Sequence, residues 1–125
     1  MKPEDPRRRL GAAGESEAAR HLEAAGYRVL ARNVRAGGVE IDLVVSKGRT
    51  LAFVEVKTRR SRRAGAPEDA VDARKRGRLL RGAAAWVREH GGRRRHIRFD
   101  VVSVEPDRFG RLHATHRPAA FDAND

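Results

Sequence analysis

Residues 39–45 and 50–59 are two runs of strand-forming residues separated by Ser46-Lys47-Gly48-Arg49, which commits the middle of the chain to a β-hairpin. Side chains on a strand alternate between faces, so the first run is expected to put Ile41, Leu43 and Val45 on one side and Glu40, Asp42 and Val44 on the other. The second run puts Leu51, Phe53, Glu55 and Lys57 on one side and Ala52, Val54, Val56 and Thr58 on the other. A hairpin alone cannot cover its apolar faces, and the flanking sequence must supply the layers that do.

Those layers are legible in the spacing. Leu10, Ala13 or Gly14, Ala18, Leu22 and Ala25 recur at a helical period, and Gly26 ends the helix. Residues 27–34 read as a strand and 35–38 as a turn. Pro67 suits a helix start and is followed by Glu68 and Asp69, which favour the positive end of the helix dipole. This second helix is expected to reach His90 and stop at Gly91-Gly92, with an apolar stripe of Val71, Lys75, Leu79, Ala83, Trp86 and Val87. Ile97–Glu105 reads as a strand, and residues 110–116 as a further edge strand. The reading is one α/β domain over residues 10–116 between a disordered basic arm, 1–9, and a flexible tail, 117–125. Its order is αβββαβ, with two helices covering a sheet of four or five strands.

The composition narrows the function. With 28 Lys and Arg against 17 Asp and Glu, the chain carries a net charge of +11. Such a field favours a large polyanion, and arginine-rich runs such as Arg59-Arg60-Ser61-Arg62-Arg63 suit phosphate. Nucleic acid is the expected partner, DNA in preference to RNA. Aromatic residues are 5 %, too few for the stacking platform of single-strand binders. Cysteine is absent, which excludes disulfides, thiol catalysis and Cys-ligated zinc. No apolar run is long enough to span a bilayer, and the first residues lack a secretory core, so no membrane partner and a cytoplasmic location are expected.

Chemistry concentrates in Glu55-Val56-Lys57, whose carboxylate and ammonium share a strand face. Pairing of the hairpin strands brings Asp42, with Glu40 on its own face, toward Glu55 and Lys57. Two carboxylates beside a lysine suit a hard cation and a phosphate, although the same residues also suit a surface ion pair. Lys75 interrupts an apolar stripe, which fits either a stem packed with its ammonium at the rim or a phosphate contact beside the site.

Gly14-Glu15, Gly26-Tyr27, Arg32-Asn33, Glu40-Ile41-Asp42-Leu43, Phe53 to Arg59, Gly65, Pro67, Ala70-Val71, Lys75 and Phe99-Asp100-Val101-Val102 together resemble the YraN-like uncharacterised protein family. The resemblance spans roughly residues 10–105. It departs at Val39, where the family has Gly directly before Glu-Ile-Asp. It implies a restriction-endonuclease-like fold, with a mixed four- to five-stranded sheet, and a PD-(D/E)xK site. By the same resemblance Asp42 and Glu55 are the metal ligands, Lys57 is the catalytic lysine, and Glu15 is an additional ligand of the kind found in Holliday-junction-resolvase-like proteins. Glu40 and Lys75 are secondary candidates. Arg59, Arg60, Arg62 and Arg63 follow the catalytic strand and would hold the flanking backbone. The implied activity is Mg²⁺- or Mn²⁺-dependent cleavage of nucleic acid. The alternative is a non-catalytic nucleic-acid-binding module or basic adaptor of the same fold. The oligomeric state is left open, a homodimer included.

Overall fold

The computed structural model describes residues 6–60, 73–91 and 95–121. The elements in chain order are α1 (Pro6–Ala24), β1 (Arg28–Ala36), β2 (Val39–Lys47), β3 (Thr50–Thr58), α2 (Ala73–His90), β4 (His96–Pro106) and β5 (Leu112–Phe121). They build an α/β domain around one five-stranded mixed sheet in the order β1-β2-β3-β4-β5. Every neighbouring pair is antiparallel except β3 and β4, which run parallel in the register Leu51↔Ile97 through Thr58↔Val104. Parallel neighbours require a crossover, and α2 lies within it.

The helices cover opposite faces. Leu79, Ala83 and Trp86 of α2 pack on Val44, Leu51, Phe53, Phe99 and Val101. Ala18, Ala19 and Leu22 of α1 pack on Leu43, Val45, Ala52, Val54, Val102 and Val104. The alternation expected for β3 is therefore the one adopted.

For β2 it is not. Ile41 belongs to the α2 side together with Val44, while Leu43 and Val45 lie under α1, so Ile41 and Leu43 do not share a face. The partner strand switches at the same point, since Ala31 and Val34 of β1 both pack on the α2 side. On β1, Arg32 pairs with Leu43 and Val34 with Ile41, and the intervening Asn33 has a left-handed φ of 48°. Asparagine tolerates that conformation better than most residues, and one such residue resets the phase of a strand. The reset falls opposite Asp42.

The ends also differ from expectation. The helix begins at Pro6, so residues 6–9, expected in the arm, are helical. The final strand reaches Phe121, which places residues 117–121 in the sheet instead of a tail. Phe121 is 4 % exposed and stacks on Phe99 at 4.8 Å between ring centroids, an anchor that no local period in the sequence reveals. The expected helix start at Pro67 lies outside the described residues. No helix is long and apolar enough to cross a membrane among the described residues.

Gly14 sets how closely α1 approaches β3. A Cβ there would press on the side chain of Thr58, 2.8 Å from Cγ2 and 2.9 Å from Cβ. Gly14→Ala is expected to cost about 1–3 kcal/mol, the scale for overpacking a filled interior, although alanine is the better helix former. Combining it with Thr58→Ala removes Oγ1 and Cγ2 and should restore part of the loss in urea melts.

Candidate active site

The site forms where β2 and β3 part. Their pairing runs from Lys47↔Thr50 to Leu43↔Val54, and Asp42 and Glu55 stand at the next position. There Oδ2 of Asp42 accepts the Val56 N–H at 2.8 Å, so a side chain holds a donor of β3 just beyond the paired ladder. The Asn33 phase switch and this separation coincide, and they turn Asp42 toward a cleft of about 250 Å³. Val39, Glu40, Asp42 and Glu55 line the sheet side of the cleft, and Lys75, Arg78 and Leu79 line the α2 side.

Burial pushes the Asp42 carboxyl up to about 6, offset in part by the Val56 N–H and reinforced by the charges of Glu15, Glu55 and Glu40. Glu15 thus acts on the site from α1, whose approach depends on Gly14. Glu55 Oε1 accepts from Lys57 Nζ at 2.8 Å, and Lys75 Nζ is 3.8 Å from the same oxygen. The other oxygen, Oε2, is buried without a hydrogen-bond partner. Burial acts to lower the Lys57 pKa, but the hydrogen bond and charge of Glu55, together with Lys75 and the charge of Asp42, outweigh it and the net direction is upward. The ammonium therefore stays charged at neutral pH.

Asp42, Glu55, Glu40 and Lys75 are thus brought to one cleft, with Lys57 joined through Glu55 and Glu15 through its charge. Arg59 leaves the sheet beside β4, its N–H bonded to the Val104 carbonyl at 2.9 Å, and Arg60 follows. Arg62 and Arg63 lie outside the described residues. Val39, at the departure from the family pattern, is buried in β2 and takes the cleft wall without displacing the acids.

Two residues escaped the sequence reading. Arg78 lines the cleft from α2, but it sits among many arginines and carries no distinguishing spacing. Ser103 pairs in register with Lys57, and its buried Oγ has no hydrogen-bond partner.

Among the described residues no three acidic or histidine side chains already converge closely enough to hold an ion. The fit to a small hard cation rests instead on the Asp42–Glu55 pair. An unpartnered buried carboxylate oxygen lies beside a carboxyl whose ionised form is opposed by three acids, and a cation relieves both. Mg²⁺ characteristically takes one or two carboxylates and fills its remaining positions with water and phosphate.

The raised Asp42 value has a measurable consequence. The folded state holds the proton more tightly than the unfolded chain, so this group's contribution to stability is complete below 3.8 and is lost as pH rises through about 6. The loss is on the order of 2–3 kcal/mol, at roughly 1.4 kcal/mol per pH unit. In EDTA, Asp42→Asn, which keeps an acceptor for Val56, should melt progressively higher than wild type between pH 4 and pH 7. Equal pH profiles would remove the argument for strain at Asp42.

A carboxylate pair and a charged lysine, set where two strands of a mixed α/β sheet separate, define a small α/β protein with a candidate phosphate- and cation-binding site. The chain belongs to the uncharacterised protein family UPF0102, which residues 14–104 match and which is the YraN-like family of the sequence resemblance. It is 51 % identical over 116 residues to a UPF0102 protein of Symbiobacterium thermophilum, covering 93 % of this chain and 98 % of the relative. A UPF0102 protein of Parafrankia sp. is 48 % identical over 113 residues, 90 % and 96 % of the two chains. One from Anaeromyxobacter dehalogenans is 43 % identical over 120 residues, 96 % and 89 % of the two chains.

Proposed function

We propose that this protein is a divalent-metal-dependent nuclease of the PD-(D/E)xK type, acting in the cytoplasm on DNA and resembling Holliday-junction resolvases in its site. The observation that carries the reading is the unpartnered, buried Oε2 of Glu55 beside Asp42, with Lys57 on the opposite oxygen. Asp42 and Glu55 would hold Mg²⁺ or Mn²⁺, with Glu15 contributing charge from α1. The ion supplies Lewis-acid polarisation of a phosphate and a lowered pKa for water.

The chain's own residues do the rest. Lys57, held by Glu55 and charged at neutral pH, stabilises negative charge as it develops on the phosphate. Lys75 and Arg78 supply positive charge on the α2 wall and orient the phosphodiester in the cleft. Arg59 and Arg60 extend the positive surface from the end of β3, and the net charge of +11 draws the polyanion in.

The Lys57–Glu55 ion pair favours a second reading, a binding module of the same fold without catalysis, because it occupies one of the two ligand oxygens. Cleavage assays in Mn²⁺ separate the two. Wild type is expected to cut DNA, and Glu55→Gln to lose both cleavage and the Mn²⁺-induced rise in melting temperature while still binding DNA in EDTA. If wild type binds but cuts no duplex, flap or junction, the binding module is the correct reading. Cleavage by Glu55→Gln at the wild-type rate would overturn the site assignment.

A further inference from the structure

The turn between β4 and β5 holds the most exposed large apolar side chain among the described residues. Phe109 is 75 % exposed, against 38 % for Leu30. Its backbone is fixed. The Gly110 N–H donates to the Asp107 carbonyl at 3.0 Å, closing a tight turn, and the Asp107 N–H donates to the Arg111 carbonyl at 2.8 Å. Oδ1 of Asp107 accepts the N–H groups of Phe109, at 2.8 Å, and Arg111, at 3.0 Å. Oδ2 is 2.8 Å from Nε2 of His113, and Gly110 takes the positive φ of 80°. None of these bonds uses the phenyl ring, so the fold does not require an aromatic residue there. The Arg108 guanidinium lies 4.8 Å from the ring centroid, and Arg111 follows the turn.

The register locates this tip. The β4 strand runs parallel to β3, with Glu55↔Val101 and Lys57↔Ser103, and it continues past the end of β3 to Pro106. The tip therefore projects from the same end of the sheet as the Asp42–Glu55 site. From Val101 to Pro106 is about 16 Å at 3.3 Å per residue.

We infer that Phe109 is a stacking wedge for an unpaired or unstacked base, with Arg108 and Arg111 on the adjacent phosphates. A single rigid ring cannot serve as a platform for a continuous strand. It can stack where a duplex ends or branches, since bases there are already exposed. Arginines beside the ring and a chain charge of +11 select a nucleic acid over an apolar partner. The inference rests on the nucleic-acid reading above and specifies its substrate as branched or frayed structures, bound at the same end of the sheet as the acidic cleft.

The test is fluorescence anisotropy in EDTA, with a labelled four-way junction, a single-stranded flap and an unbranched duplex of equal length. Wild type is expected to prefer the junction and flap. Phe109→Ala should weaken binding to both about tenfold, within the range for one stacked base, while leaving duplex affinity and melting temperature unchanged. Phe109→Trp should restore the preference, and 2-aminopurine placed at the branch should change emission with Trp and not with Ala. Equal weakening on all three probes, or no change on any, would overturn the wedge and leave a general charge effect or a different partner. The absence of chemistry in EDTA keeps the two proposals apart. A protein that shows the branch preference but never cuts fails only as a nuclease. One that cuts in Mn²⁺ with no effect of Phe109→Ala fails only as a wedge.

Discussion

Asp100→Ala should lower stability by about 3–5 kcal/mol, the cost of breaking a buried charge pair from one side. Asp100 is 1 % exposed. Arg98 grips it with two hydrogen bonds, Nε to Oδ1 at 2.9 Å and Nη2 to Oδ2 at 2.8 Å. The Ala119 N–H donates to Oδ1 at 3.0 Å, and His116 Nε2 lies 2.7 Å from Oδ2. Arg98 also donates to the Tyr27 hydroxyl at 2.6 Å, which ties β4 to the start of β1. Removing the carboxylate strands a guanidinium that is largely out of water. A loss of this size lowers the melting temperature by roughly 10–20 °C in a domain of this length.

The same network sets the acid limit. Burial pushes the Asp100 carboxyl up, but His116, Arg98 and the Ala119 N–H together hold it below the ordinary value of 3.8. A lowered carboxyl contributes stability that is complete above the unfolded value and is lost as pH falls through the folded one. Wild type should therefore lose stability more steeply than Asp100→Ala below pH 3.8. Replacing both charged residues, Arg98→Met with Asp100→Leu, should recover part of the loss, because no buried charge is then left unpaired, although the Ala119 N–H and His116 lose their acceptor. Urea melts at pH 7 and pH 3 on all three proteins check the argument. A change below 1 kcal/mol in Asp100→Ala would show that the network contributes little.

Lys57→Ala should reduce any Mn²⁺-dependent cleavage by about 10²–10⁴-fold, the scale for losing one group aimed at developing charge. Its effect on the metal should be opposite in sign to that of Glu55→Gln. Lys57 occupies Oε1 of Glu55 at 2.8 Å, so its loss frees a second oxygen and removes a competing positive charge. Mn²⁺ affinity in calorimetry should be unchanged or modestly higher. Stability without metal should fall slightly, since Lys75, 3.8 Å from the same oxygen, provides partial compensation. A surface ion pair with no catalytic role would instead give about 0–1 kcal/mol in the melt and no change in rate. Single-turnover cleavage measured beside calorimetry separates these outcomes.

Local periodicity made most of the architecture readable from the residues. Gly26 with the stripe above it marked the end of α1, the Ser46–Arg49 connection marked the β2–β3 hairpin, and Leu79, Ala83 and Trp86 marked the buried face of α2. These features depend on neighbours within a few positions, and a sequence displays such neighbours directly. Glu55 and Lys57 were legible for the same reason, since two residues on one strand share a face whatever surrounds them.

What the residues could not show depends on groups far apart in the chain. The left-handed turn at Asn33 resets the phase of β1, and only its pairing with β2 moves Ile41 to the α2 side and leaves Asp42 at the point of separation. Phe121 finds Phe99, and Arg98 finds Tyr27 across 71 positions, through contacts without a local period. The chain alone thus determined its helices, its hairpin and the identity of its charged groups, because propensity and alternation act over short range. Which carboxylate became buried and paired, Asp100, and which was left strained beside an unpartnered oxygen, Asp42, was decided by tertiary packing, because desolvation and charge compensation depend on everything that surrounds a group in space.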